Sequence, residues 1–247
     1  GGAVILYMAL TSHEKPVTEE EKKPELWDSV KSLLTNKKFW VAGITNAFYS
    51  AGMSLVMAGM PIYAKYTLKI SSGRQSLLFG GVLLVAIGSV AVWANWVKKY
   101  DLVKVWRFAI AALALAYIPL YFANSFYVAL ACAMLVGFGF AGVITTMDLI
   151  HSRIMDEDQA KHNVRREGII SNALGFMNRL NGLFTSAAYA LLGVLFGYVS
   201  GEVPGPQPGT AARFLLTIFP LVMMVLSLGF SFLSDFKRIP LDAREEE

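Results

Sequence analysis

An arginine in the middle of an apolar run and a dense patch of opposite charges between two such runs are the residues of this 247-residue chain with the most chemistry to offer. Arg179 lies 11 residues beyond Gly168, where the run begins, or about 16 Å along a helix rising roughly 1.5 Å per residue. That depth is near a bilayer midplane. A central arginine there costs between about 2.5 and 17 kcal/mol, so it must face protein, water or a partner. Asn172 and Ser186 stand seven residues to either side, with Gly175 and Gly182 between them, so helical spacing surrounds Arg179 with polar and small residues. With the adjacent Asn178, this stripe reads as a substrate-binding or coupling site on a cavity wall. The structural alternative is an arginine paired to a buried carboxylate or to helix-end carbonyls.

The charged patch runs from Met155 to Gly168, and two chemistries fit it. Asp148, His151, Asp156 and Asp158 combine carboxylates with an imidazole that could hold a divalent cation for an intramembrane prenyl or phosphoryl transferase. Such an enzyme needs a second acidic cluster to clamp a diphosphate, and the segment 97–107 carries none. The rival is a gating network, Asp156, Asp158, Arg165, Arg166 and Glu167, that latches the inner ends of helices in one conformation and releases them in another. The latch is the better fit. No catalytic residue, metal site or cofactor is then required, and the lone Cys132, inside an apolar run, reads as a small core residue.

Composition says what must position these groups. The chain is 55% hydrophobic and only 16% charged, with a mean hydropathy of +0.50; a soluble domain carries about 25% charge. A hydrocarbon core of roughly 30 Å takes about 20 apolar residues per crossing, and six runs qualify, at approximately 39–60, 76–97, 105–122, 126–150, 168–198 and 211–233. Residues 1–10 are apolar but too short to cross and read as the tail of a truncated transmembrane helix.

Sorting Lys and Arg by segment tests this layout. Seventeen of the 22 fall before the first run, between the second and third, after the fourth or after the sixth; Lys65, Lys69, Arg74 and Arg213 fall on the other side, and Arg179 within a run. Short cytoplasmic segments hold the positive excess, so both ends of the six-span unit are expected in the cytoplasm of a multi-pass cell-membrane protein. The basic residues report orientation, and nucleic acid is set aside as a partner in favour of the lipid bilayer. The chain divides into the helix tail 1–10, a cytoplasmic central loop 11–38, a six-helix bundle 39–233 and a cytoplasmic tail 234–247.

Finer expectations follow from spacing. Leu26, Trp27, Val30, Leu33 and Leu34 recur as on an amphipathic helix within the loop. Pro204, Pro206 and Pro208 make 201–209 an extended connection. Trp93, Trp96 and Trp106 read as interfacial anchors. Asn46, Ser50, Met53 and Met57 form a stripe that suits either a cavity wall or a helix contact, and Asp148 is expected to pair with Arg153 or cap the pathway.

The charged patch also carries a resemblance. Asp156-Glu157-Asp158, Lys161 and Arg165-Arg166-Glu167-Gly168 match the acidic run and Gly-x-Arg-Arg-Glu-Gly that precede the eleventh span in the glycoside-pentoside-hexuronide cation symporters of the major facilitator superfamily. The usual Gly is Asn163 here, and the first family Asp is Arg153. Asn36-Lys37-Lys38-Phe39 resembles the Asn-Arg-Pro-Phe that opens the seventh span, and Gly197-Tyr198 closes the eleventh.

The resemblance implies an all-α integral membrane fold, the six-span C-terminal half of a major facilitator superfamily transporter. Its partner would be an N-terminal six-span half, absent from these 247 residues, that holds the cation-binding aspartates and much of the sugar site. Arg179 falls where the group places a cationic residue at the sugar and cation site, and Ile144 falls where an aromatic stacks on sugar. The implied function is cation-coupled symport of a sugar or related small polar solute, with Na+ or H+ as coupling ion. A lipid or other amphiphile, carried by related members, is the alternative substrate, and the intramembrane transferase is the alternative of another class.

Overall fold

In lipid a chain satisfies its backbone hydrogen bonds only as helices or as a closed barrel, and runs of this length and composition choose helices. The computed structural model describes residues 26–162, 167–199, 201, 204–234 and 236, with side chains from Lys31 onward and without that of His162. The expected helix tail at 1–10, most of the loop 11–38, Asn163, Arg165, Arg166 and nearly all of the tail 234–247 lie outside the described residues.

The regular elements among the described residues are helical. They are α1 (Leu26–Thr35), α2 (Lys37–Tyr66), α3 (Ser72–Lys99), α4 (Leu102–Phe122), α5 (Phe126–His162), α6 (Glu167–Asn178), α7 (Asn181–Phe196), α8 (Pro208–Arg213), a π-helical turn (Phe214–Ile218) and α9 (Phe219–Ser231). They supply six segments long and apolar enough to cross a membrane, the fifth made of α6 and α7, the sixth of α8, the π turn and α9. The protein is an all-α multi-pass membrane protein.

The helix ends follow from local chemistry. The Asn36 side chain accepts from the backbone N–H of Lys38 (3.0 Å) and Phe39 (3.2 Å) and so starts α2, and Asp101 does the same for α4. Gly197, at φ 61°, ends α7 in the left-handed conformation that suits glycine.

Four expectations are corrected. First, α5 continues through Asp156-Glu157-Asp158 to His162, so the acidic residues lie on a helix and not in a loop. Met155, Gln159, Ala160 and Lys161 are good helix formers, and Glu157 and Lys161 pair one turn apart at 3.0 Å. Second, the fifth span is broken at Arg179 and Leu180, between two asparagines of low helix propensity and ahead of Gly182. There the N–H groups of Leu180, Gly182 and Leu183 turn back to carbonyls three residues earlier. Third, Trp93 and Trp106 are fully buried core residues and not interfacial anchors: the Trp93 indole donates to the Phe138 carbonyl at 2.9 Å, and Trp106 packs edge-on against Phe236. Fourth, Pro208 opens α8, so the extended connection stops one residue short of it.

Packing centres on α5, which lies against α3 on one side and α4 on the other, while α9 fills the space between α2 and α4. Cationic side chains close the end of the bundle where α4 begins and α9 ends. Arg107 donates to the carbonyls of Ser231 (2.8 Å) and Ser234 (3.2 Å), and Arg153 donates to that of Phe236 (2.9 Å). Arg153 therefore ties down the end of the sixth span and does not pair with Asp148. At the opposite end, Tyr63 donates to the Ala123 carbonyl (2.9 Å), Thr67 to that of Gly209 (2.9 Å), and Arg213 to the Tyr121 carbonyl and the Asn124 side chain.

Candidate functional site

Three helices bring polar side chains to one cavity. On α2, Asn46 and Tyr49 are a turn apart; on α5, Ile144, Met147, Asp148, His151 and Met155 recur at helical spacing; on α6, Ser171, Leu174, Gly175 and Asn178 do the same. Together they line a volume of about 300 Å³, the lower end of the range for small-molecule sites. Asn178 lies 11 residues beyond the start of α6, about 16 Å along its axis, so the cavity reaches mid-membrane depth.

The polar atoms of this cavity are poorly satisfied by the protein. The Tyr49 hydroxyl, the His151 Nε2 and the Asn178 Oδ1 are buried and have no hydrogen-bond partner among the described residues. Tyr49 is only 7% exposed, and its ring stacks at 24° on Phe140. Leaving one buried polar group unpaired costs about 1–3 kcal/mol, so three around one space mark a place built to receive hydrogen-bonding partners. Among the described residues the charged side chain lining the cavity is Asp148, no Lys or Arg lines it, and no ion pair reaches Asp148.

The candidates read from sequence divide around this geometry. Ile144, Gly175 and Asn178 line the cavity. Asn172 and Arg179 do not: both are exposed, Arg179 in the two-residue break and Asn172 on the opposite side of α6 from Leu174. The stripe centred on Arg179 is therefore one residue out of phase with the stripe that meets the cavity. Of the α2 stripe, Asn46 is a cavity wall, Ser50 accepts from the Asn181 amide at 3.0 Å and so fixes the break, Met53 is buried against the Tyr117 hydroxyl, and Met57 is exposed.

Among the described residues the C-terminal end of α5 carries the ion pairs. Glu157 takes Lys38, at the start of α2, through both carboxylate oxygens (2.8 and 2.7 Å) and Lys161 through one (3.0 Å). Asp158 is buried, Asp156 and Glu167 are exposed, and Arg165 and Arg166 are outside the described residues. The residues named for gating from sequence are neighbours of Glu157; Glu157 and Lys38, which form the ion pair, are not among them. The available signal was Asn36-Lys37-Lys38-Phe39: an N-cap, a buried Phe39 and a cation held where a helix begins.

The proposed metal ligands come apart. Asp148 and His151 face the cavity, while Asp156 lies eight residues on, about 12 Å along α5. Among the described residues no three His, Cys, Asp or Glu side chains come together in a group that could hold a metal ion. The transferase reading loses its ligand set.

A family model described as MFS/sugar transport protein matches residues 2–238. No curated protein matches the chain.

Proposed function

Because this chain belongs to the MFS/sugar transport family of the major facilitator superfamily, a family of transporters and not of enzymes, we propose that it forms the C-terminal half of a secondary active transporter of the glycoside-pentoside-hexuronide type. Its substrate is a sugar or related small polar solute, moved by symport with Na+ or H+. The observation that carries this is the cavity among α2, α5 and α6, where amide, hydroxyl, imidazole and carboxylate groups converge at mid-membrane depth and three of them are unpaired. Arg179 belongs to the coupling machinery from outside that cavity, on the span with the least protein around it: 11% of its apolar window is buried, against 56% for the first span. An N-terminal six-span half covers that face.

In this reading Glu157 is the latch. It ties the start of α2 to the end of α5 while the cavity has one access, and its release lets the inner ends part. Proteoliposomes containing the protein together with its N-terminal six-span half should take up a mono- or disaccharide saturably under a Na+ or pH gradient. Glu157→Gln should slow that uptake by roughly tenfold with little change in substrate binding, since a charge-assisted pair of this kind is worth about 1.5–3 kcal/mol. Equal loss of binding and uptake counts against a latch, and absence of sugar uptake under either gradient ends the symport reading. The apolar side of the cavity, Ile144, Met147, Met155 and Leu174, favours an amphiphile as the second substrate class; uptake of a short-chain lysophospholipid in place of any sugar would select it.

Orientation is tested separately. Cysteines at Ser71 and Gly205 should label from outside the cell, and one at Asn163 only after permeabilisation, with both ends of the six-span unit in the cytoplasm of a cell-membrane protein. The native Cys132 is buried and stays silent in this assay. The reverse pattern would overturn the assignment.

A further inference from the structure

Asp148 and His151 stand one helical turn apart on the cavity face of α5, and their surroundings are unusual in what they omit. The groups facing them from α2 are Asn46 and Tyr49, and from α6 Ser171, Leu174, Gly175 and Asn178, so among the described lining residues Tyr49 is the one titratable neighbour from another helix, with Tyr117 of α4 near it. Among the described residues no cation lines the cavity to balance the carboxylate. With His151 neutral the described lining therefore carries one negative charge, and with a proton added to the pair it carries none.

We propose that Asp148 and His151 are a proton-binding pair that couples proton uptake to closure of the cavity, within this half of the transporter. This rests on the transport reading above and gives its coupling ion as H+ at this site, in a different half from the aspartates that the sequence resemblance would make responsible. The step is an addition at a lone pair: a proton from bulk water bonds to His151 Nε2, the buried nitrogen with no partner among the described residues, and later leaves to water on the other side. Imidazole is a poor ligand for hard cations such as Na+, which prefer oxygen, and is the side chain whose ordinary protonation range spans physiological pH.

The coupling follows from charge. Asp148 is exposed in this conformation, where water can solvate it, while Tyr49 and Met147 beside it are buried. Closing the cavity removes that water, and an unbalanced carboxylate enclosed in low dielectric is strongly disfavoured. A protonated pair carries no net charge, so it can be enclosed. Occlusion without the proton is blocked by the same electrostatics, and uncoupled leakage is suppressed.

The test needs no substrate. The 247-residue chain is reconstituted in proteoliposomes on a solid-supported membrane, and the charge displaced by a jump from about pH 8 to about pH 6 is recorded, then the charge displaced by a Na+ jump at fixed pH. The pH jump should displace charge in the native protein. Asp148→Asn and His151→Gln should each reduce it by roughly tenfold, Asp148→Glu should keep most of it, and the Na+ jump should displace little. Asp148→Asn is isosteric at an exposed position, and correct insertion of each variant is checked by size-exclusion elution. An unchanged pH-jump signal in both neutral variants overturns the pair. A Na+-driven signal lost in Asp148→Asn also overturns it while leaving the transport reading standing, whereas failure of sugar uptake under every gradient removes that reading instead.

Discussion

Replacing Arg179 by Gln is expected to reduce coupled uptake by roughly a hundredfold or more while leaving the six-span fold in place. The fold should survive because the Arg179 side chain is exposed and has no hydrogen-bond or ion-pair partner among the described residues; only its backbone is engaged, at the break between α6 and α7. A guanidinium at that depth is costly unless an anion or strong acceptor meets it. Asp148 does not do so, since it faces the cavity from which Arg179 is excluded. No other side chain among the described residues meets it, so on the proposed transport reading the compensating group comes from the substrate, from an opposing half of the transporter, or from both in turn. The broken helix adds a place where Arg179 can swing without bending a continuous helix. Arg179→Lys should keep part of the function, because the charge survives while the planar fork of donors does not. The measurement compares accumulation against a gradient with equilibrium exchange in proteoliposomes. A Gln variant that still accumulates substrate with unchanged ion dependence would sink the assignment.

What the sequence revealed here, and what it hid, divides along a physical line. Six spans were legible because a run of apolar residues is a summed signal, insensitive to any one position. The start of α2 was legible because Asn36 caps it and Phe39 fills the core behind it. The extension of α5 was not, since charged residues read as loop unless their partners are seen, and the partner of Glu157 beyond Lys161 is Lys38, 119 residues away. The candidate site was legible in part for a related reason. Arg179 announces its depth and its cost but says nothing of direction, and a stripe phased on it includes Asn172 and skips Ser171 and Leu174, which meet the cavity. Tyr49 carried no signal at all: alone in an apolar run, a tyrosine reads as core, and only the position of Asp148, His151 and Asn178 around it makes its unpaired hydroxyl informative. Direction is a property of helix against helix, and it is fixed here by contacts such as Asn181 to Ser50 that no local spacing encodes.

Helix contact also sets the largest expected loss of stability. Gly137 and Gly139 lie two positions apart on α5, about 200° around the helix, and so face opposite neighbours. A Cβ on Gly137 would run into the Val82 carbonyl of α3, and one on Gly139 would come within 2.7 Å of the Leu113 Cα of α4. Both obstacles are backbone, which cannot rotate aside as the end of a side chain can. Two small residues thus let one helix approach two others at once, where no hydrophobic force between helices can substitute for close packing. Gly137→Ala and Gly139→Ala are each expected to destabilise the fold by about 1–3 kcal/mol. The double variant should lose close to the sum, because the two contacts share no partner. Gly88→Ala is the control: its Cβ would meet nothing within 4 Å, and removing a glycine from a helix interior gains up to about 1 kcal/mol. Thermal unfolding in detergent, followed by loss of the monodisperse elution peak, ranks the variants. If Gly137→Ala and Gly139→Ala melt with the native protein and with Gly88→Ala, then α3, α4 and α5 do not approach as closely as described, and the α5 face that carries Asp148 and His151 is not held by these contacts.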